Sequence, residues 1–282
     1  MLNVLAYFQR INAFEYAPPV RKPLVVICHY DARDVVPLIA LLRQIRRIPA
    51  GIPFEVEIVV NSVTGRRLQL PNDLSDVAVT MRPNSGYNIG AWESVWRQRS
   101  DCDFFLFLQD ECEIKRENWL IPFIHGTRFA DTFLACECIF YMSSWSAIDW
   151  KETCNQYFEI ADLYDLGIKA PPTHAQMTVV AARRKALEEV GGFISGDHKA
   201  RANAGEIATT HRALQKGFRV REVQWLPYST ISHPQWNDYI NRSRSFAWSL
   251  KRVFRILQWW ARTEFSRRAA YRRLKATRTN IS

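Results

Sequence analysis

Asp110 and Glu111 are adjacent carboxylates that directly follow Phe104–Gln109, a segment apolar from Phe104 to Leu108. Hard carboxylate oxygens suit Mg²⁺ or Mn²⁺, and a cation held there can lie against a diphosphate and neutralise charge developing on a departing phosphate. The uninterrupted apolar run suits a strand buried on both faces, and ligands of open α/β sheets bind past the carboxyl ends of such strands. The plainer reading of the pair is a solvated turn after a strand, where acids are common.

A second constellation precedes it. Arg82, Asn84, Gly86, Asn88 and Gly90 punctuate a loop between a strand and a helix. Small residues there let the backbone approach a phosphate or sugar, and the helix amino end adds a field that favours anions. No GxGxxG follows the first strand, so this is not the dinucleotide fingerprint. A structural turn with Asn88 as helix cap explains the same residues. Further on, Glu206 is a carboxylate able to take a proton from an attacking hydroxyl, with Asp197 as the other contender. Asn203-Ala-Gly-Glu206 also fits a variant capping box. The six histidines form no HExxH motif, and the six cysteines form no CxxC pair, which makes reduced structural thiols the expectation.

These residues need a scaffold that holds loops at one sheet edge. Apolar runs at Leu24–Tyr30, Phe54–Val60, Val77–Met81 and Phe104–Leu108 read as strands. Val35–Ile45 and Asn88–Arg99 read as helices between them. This alternation predicts an α/β domain with a mostly parallel, helix-covered sheet. In the second half Thr132–Tyr141, Met177–Ala182 and Phe218–Trp225 read as strands. Arg183–Val190, stopped by Gly191-Gly192, and Asn203–Lys216 read as helices.

The 282 residues are 48% hydrophobic and carry a formal net charge of +10, but the charge is unevenly placed. Residues 241–282 hold twelve Lys and Arg against the single acid Glu264, giving 12 − 1 = +11, so residues 1–240 carry 10 − 11 = −1. The expected division is a lead-in at 1–22, a domain at 23–240 and a basic tail at 241–282. The tail interleaves apolar and cationic residues at helical spacing and includes Trp248, Arg252, Arg255, Trp259 and Trp260. That pattern predicts an amphipathic helix lying on an anionic membrane rather than crossing it. A helix packed on its own domain is the alternative, and nucleic-acid binding is a weaker third reading because the core shows no module for it. With the strands and helices of the core complete before residue 241, removing the tail is expected to leave the core folded. No signal peptide and no span of about 18 uncharged apolar residues is seen, which predicts a cytoplasmic location.

In order and spacing, the chain from about Pro23 to His233 resembles family 2 glycosyltransferases of the GT-A fold, rhamnosyltransferases among them. The resemblance rests on the first strand with Asp31, on Asn84-Ser-Gly-Tyr-Asn-Ile-Gly90, on Gln109-Asp110-Glu111, on Gly191-Gly192-Phe193, and on Gly205-Glu206 followed by Lys216-Gly217-Phe218. It implies Asp110 and Glu111 as metal-binding acids for Mg²⁺ or Mn²⁺, with His233 added to the metal or the diphosphate. It implies Asp31 and Asn61 on the donor's nucleoside, where Asn61-Ser62 replaces the family's Asp-Ser. Asp110 and the Arg82–Gly90 loop complete the donor side, and His174, Gly192 and Phe193 fall on the acceptor side. Glu206 aligns with the second acid of the family's Glu-Asp pair and Gly205 with the first. The implied activity is inverting transfer of a sugar from a nucleotide-sugar donor to a glycan or lipid-linked acceptor at the inner membrane face. A catalytically inactive, membrane-bound protein of the same fold is the alternative, since Asn61 and Gly205 depart from the pattern.

Overall fold

A computed structural model describes residues 15–142, 144–145, 151–167 and 172–279, so most of the expected lead-in lies outside the described residues. The first half contains β1 (Pro23–Tyr30), α1 (Val36–Arg47), β2 (Glu55–Ser62), β3 (Ala78–Pro83), α2 (Tyr87–Gln98), β4 (Phe104–Gln109), β5 (Glu113–Ile114) and α3 (Ile121–Gly126). There follow β6 (Thr132–Cys136), β7 (Ile139–Phe140), α4 (Lys151–Leu163), β8 (His174–Ala175), β9 (Val179–Arg183) and α5 (Arg184–Val190). The chain continues through α6 (Lys199–Gln215), β10 (Arg219–Glu222), β11 (Ile231–Ser232), α7 (Asn237–Ser243) and α8 (Phe246–Thr279).

Seven strands form one sheet in the order β10-β6-β9-β4-β1-β2-β3. Neighbours run parallel except β9, which is antiparallel to both β4 and β6. The apolar runs explain the layers. Leu24, Val26, Phe105 and Phe107 enter one buried cluster with Trp92 and Leu187, whereas Val25, Ile27, Phe104 and Leu106 enter another with Leu38, Leu41 and Phe123. Strict alternation of two apolar sets is what a sheet covered by helices on both faces requires. The mostly parallel α/β architecture expected from the sequence is therefore present. Its chain order makes β1 the point from which β2 and β3 extend one way and β4 the other, and this reversal opens a crevice at the carboxyl ends of β1 and β4.

Among the element boundaries that differ from the sequence reading, three bear on the site, each for a local reason. The expected strand Thr132–Tyr141 is broken after Cys136, where Glu137 turns inward, is fully buried and accepts from the Ile231 amide at 2.8 Å. The helix expected from Asn203 begins at Lys199 with His198 as N-cap, so Glu206 sits two turns inside it and the capping-box reading fails. The helix expected from Asn88 begins at Tyr87 with Gly86 as N-cap at φ 76°, and the Asn88 side chain is spent elsewhere.

The basic tail is a long helix, but it is not detached. Arg267 is buried and donates to Asp131 Oδ2 at 3.0 Å, to Glu264 Oε1 at 2.6 Å and to the Gly217 carbonyl at 2.8 Å. Tyr271 joins the main core and meets Phe218 edge-on at 5.7 Å. Arg252 is buried in an ion pair with Glu222, Trp259 packs on Tyr141 and Trp248 on Tyr239. Three of the five side chains assigned to a membrane, Trp248, Arg252 and Trp259, thus serve the helix's seat on its own domain, because buried carboxylates and rings await them there. Arg255 and Trp260 remain exposed.

Candidate functional site

The register of β1 on β4 ends with Cys28 opposite Gln109, which sets the next residues, His29 and Asp110, side by side. His29 Nδ1 lies 2.5 Å from Asp110 Oδ2, and both side chains are buried. A carboxylate accepts only, so the ring proton is on Nδ1. Glu111, the next residue, accepts from Arg33 Nη1 at 2.8 Å and stands 3.6 Å from His233 Nε2. Asp110 Oδ1 and Glu111 Oε1 have no partner among the described residues, so each acid keeps an oxygen for a further ligand. Two hard oxygens at a strand edge fit Mg²⁺ or Mn²⁺.

His233 is a different case. Its Nδ1 accepts from the Gln235 amide at 3.2 Å, which leaves the proton of the neutral ring on Nε2, a buried atom without a hydrogen-bond partner. Burial lowers its pKa, against the opposing pull of Glu111 and Asp110. A neutral ring with its proton on Nε2 donates to an anionic oxygen and does not coordinate a cation through that atom. The expected metal role of His233 is therefore not open to Nε2 in this tautomer.

The donor-side residues gather at the same edge. Asn61, at the end of β2, accepts from Arg82 Nη1 at 2.5 Å and donates to the Tyr87 carbonyl at 2.8 Å. Arg82 also donates to the Ser85 carbonyl at 2.9 Å, and its pKa is lowered by burial. Gly90 is required here: a Cβ would stand 2.3 Å from the Ser85 carbonyl oxygen, so the loop closes over α2 only because residue 90 has none. Asn84 is exposed on this loop. Asp31 has another task. It accepts from Ser62 Oγ and Thr64 Oγ1 at 2.6 Å each and from the amides of Val63 and Thr64 at 2.9 and 3.1 Å. Desolvation opposes ionisation, but these four donors outweigh it and hold the carboxyl below its usual range. Asp31 shapes the loop after β2, leaving little capacity for a nucleoside.

Beside this edge lies a cavity of about 470 Å³ lined by Phe140, His174, Gln176, Asn203, Glu206 and Trp236 among others. Glu206 Oε2 accepts from the Met177 amide at 3.3 Å. The surrounding wall desolvates its carboxyl and pushes its pKa up to about 8, while the cavity gives the side chain its remaining exposure. His174 Nδ1 donates to the Pro172 carbonyl at 2.7 Å, so the neutral ring has its lone pair on Nε2; burial lowers its pKa to about 4. Gly205 explains the missing first acid. A Cβ there would lie 2.3 Å from the Ile194 carbonyl oxygen, so the close approach of α6 to that segment leaves no room for a carboxylate.

Met177 ties the parts together. Its amide donates to Glu206, and its carbonyl accepts from Asn88 Nδ2 at 3.0 Å and Gln109 Nε2 at 3.3 Å. One peptide segment thus fixes the cavity carboxylate, the glycine loop and the strand that presents the acid pair. The turn Pro234–Trp236 repeats the link, with His233 beside Glu111 and Trp236 in the cavity wall.

Three expected site residues stand apart. The Asp197 side chain is 82% exposed and does not line the cavity. Phe193 is a core residue, 5.3 Å from Phe107 and 6.2 Å from Trp92 between ring centroids, and Gly192 lies against the Glu93 carboxylate. Neither lines the cavity beside the acid pair, where the resemblance expected them on the acceptor side, because the Gly-Gly turn folds Phe193 inward. Among the described residues, Glu55, Asp101 and Cys102 bring possible metal ligands within 4.8 Å, but Lys22 and Arg99 already pair with both acids at the opposite end of the sheet. His29, Arg33 and the Met177 backbone were missed from sequence. Only His29 had a signal there, a polar residue ending a buried strand.

No family profile matches the chain, and no curated protein matches it in sequence. Among solved structures, GalNAc-T7 with UDP, GalNAc and Mn²⁺ superposes with a TM-score of 0.48 and 12% identity, over 77% of this chain and 44% of that one. The mannosyltransferase PcManGT from Pyrobaculum calidifontis with GDP-Man and Mn²⁺ gives 0.45 and 14%, over 89% of this chain and 71% of that one. This chain therefore spans under half the length of the GalNAc-T7 chain. Likenesses this distant assign no activity, and the functional reading rests on the geometry of the site.

Proposed function

We propose that this protein is a GT-A-type glycosyltransferase that moves a sugar from a nucleoside-diphosphate donor to a hydroxyl acceptor, with inversion. The observation that carries the reading is the bridge at Met177, which fixes Glu206, the Asn88 loop and the Gln109-Asp110-Glu111 edge in one place. Asp110 and Glu111 would hold Mg²⁺ or Mn²⁺, which when bound neutralises charge on the departing diphosphate. His29 orients Asp110. The Nε2 proton of His233 serves a diphosphate oxygen, and Arg82, itself held by Asn61, lends the donor loop its positive charge.

In the cavity, ionised Glu206 takes the proton of the acceptor hydroxyl as its oxygen attacks the anomeric carbon and the bond to the diphosphate breaks. A carboxyl with a pKa near 8 is a stronger base than an ordinary one, at the cost of being mostly protonated at neutral pH. Trp236 and Phe140 offer apolar faces to a sugar ring, and Gln176 and the His174 Nε2 lone pair offer polar contacts. The glycan or lipid-linked nature of the acceptor follows from the sequence resemblance.

The test is incubation of the purified protein with a panel of nucleotide sugars, with Mn²⁺, Mg²⁺ or chelator. Release of nucleoside diphosphate that requires the metal is the expected result. Metal-dependent donor binding with no release, with or without acceptor sugars, would instead identify a catalytically silent protein of this fold, and no binding at all would remove the donor site.

A further inference from the structure

The helix α8 leaves one apolar face uncovered. Phe246, Leu250, Phe254, Leu257 and Trp260 are 77%, 50%, 61%, 57% and 42% exposed. At about 100° per residue they fall within an arc of roughly 120°, turned away from the side on which Trp248, Arg252 and Trp259 seat this part of the helix on the domain. Single exposed apolar residues are ordinary, but five large ones in a row over four turns form a patch. The exposed cations Lys251, Arg255 and Arg262 lie together on one flank of the helix, about 60–100° round from the stripe's edge at Phe254, and none of the three has a carboxylate partner among the described residues.

We propose that this face of α8 docks on an anionic lipid surface, with the helix axis in the plane of the interface. Charge selects the occupant. The one acid of residues 241–282, Glu264, is buried against Arg267 and Arg268, so nothing on the exposed face offsets the cations. An antiparallel second copy packed face to face would bring the two rows of cations to the same side, whereas anionic headgroups complement them while acyl chains receive the apolar stripe. Trp260, at the stripe's edge, has the amphipathic ring that suits the headgroup level. No helix among the described residues is long and apolar enough to cross a membrane. The proposal does not depend on the transferase reading.

The experiment is co-sedimentation of the full chain with phosphatidylcholine vesicles, with and without phosphatidylserine, at low and high salt. Binding is expected only with phosphatidylserine, weakening roughly tenfold or more at high salt as the cations are screened. The double variant Leu250→Ser, Phe254→Ser alters only exposed positions and is expected to keep its melting temperature and lose vesicle binding. Lys251→Glu with Arg255→Glu is expected to abolish the preference for phosphatidylserine. Unchanged vesicle binding by the serine variant overturns the proposal. So does a dimer in light scattering that the serine variant dissolves while no vesicle binding is seen, since the face would then join two copies.

Discussion

His29 Nδ1 and Asp110 Oδ2 meet at 2.5 Å where β1 and β4 end, and the parallel register of those strands makes the contact unavoidable. The imidazole fixes which oxygen of Asp110 remains available. Such supporting groups typically contribute 10- to 100-fold to metal affinity. Replacement of His29 by Ala is expected to weaken Mn²⁺ binding by about that factor in the presence of nucleoside diphosphate, and Asp110→Asn to abolish it. Titration calorimetry checks both. Equal affinity in the wild type and Asp110→Asn would remove the acid pair from the site.

Glu206→Gln retains the bond from the Met177 amide but not the ability to accept a proton. Turnover is expected to fall by roughly 10²- to 10⁴-fold with donor affinity nearly unchanged. In the wild type the rate should rise with pH through a midpoint near 8, following the raised pKa. Asp197→Asn, at an exposed position, should leave the rate alone. A collapse in Asp197→Asn with survival of Glu206→Gln would reverse the assignment.

Glu137 is a structural carboxyl with a pH signature. Burial pushes its pKa up to about 8, well above the ordinary carboxyl value near 4.5. A carboxyl that binds its proton more tightly when folded favours the native state most below pH 4.5, and that contribution is lost as pH rises to about 8. The loss is at most about 1.4 kcal/mol per pH unit. Thermal melts between pH 5 and 8.5 should show the wild type losing more stability than Glu137→Gln. Parallel curves would mean that Glu137 is ionised throughout.

Arg267 holds α8 to the domain through Asp131 and Glu264. Its replacement by Ala leaves buried carboxylates short of a partner and is expected to cost about 3–5 kcal/mol in chemical denaturation. Removing residues 242–282 also uncovers Phe218 and takes Arg252 from Glu222, so the shortened chain should unfold more readily or aggregate. This reverses the expectation of an independent core. A truncated protein as stable as the full chain would restore it.

The sequence by itself determined the sheet-forming runs and the placing of Asp110 and Glu111, because an apolar segment such as Phe104–Leu108 buries itself wherever it lies and pushes the polar residues after it to the edge. It also determined that the basic tail is helical, since spacing there is local. Tertiary structure decided what depends on partners distant in the chain. Asn203 and Glu206 alone read as a cap, and only the packing of α6 against Met177 made Glu206 a cavity carboxyl. Asp31 looked free until the loop after β2 supplied four donors, and Phe193 looked like a site residue until Trp92 and Phe107 enclosed it. The α8 stripe is amphipathic in either reading of the tail; which side faces inward at its start was decided by Glu222, whose buried carboxylate captures Arg252 and turns Phe246, Leu250 and Phe254 outward.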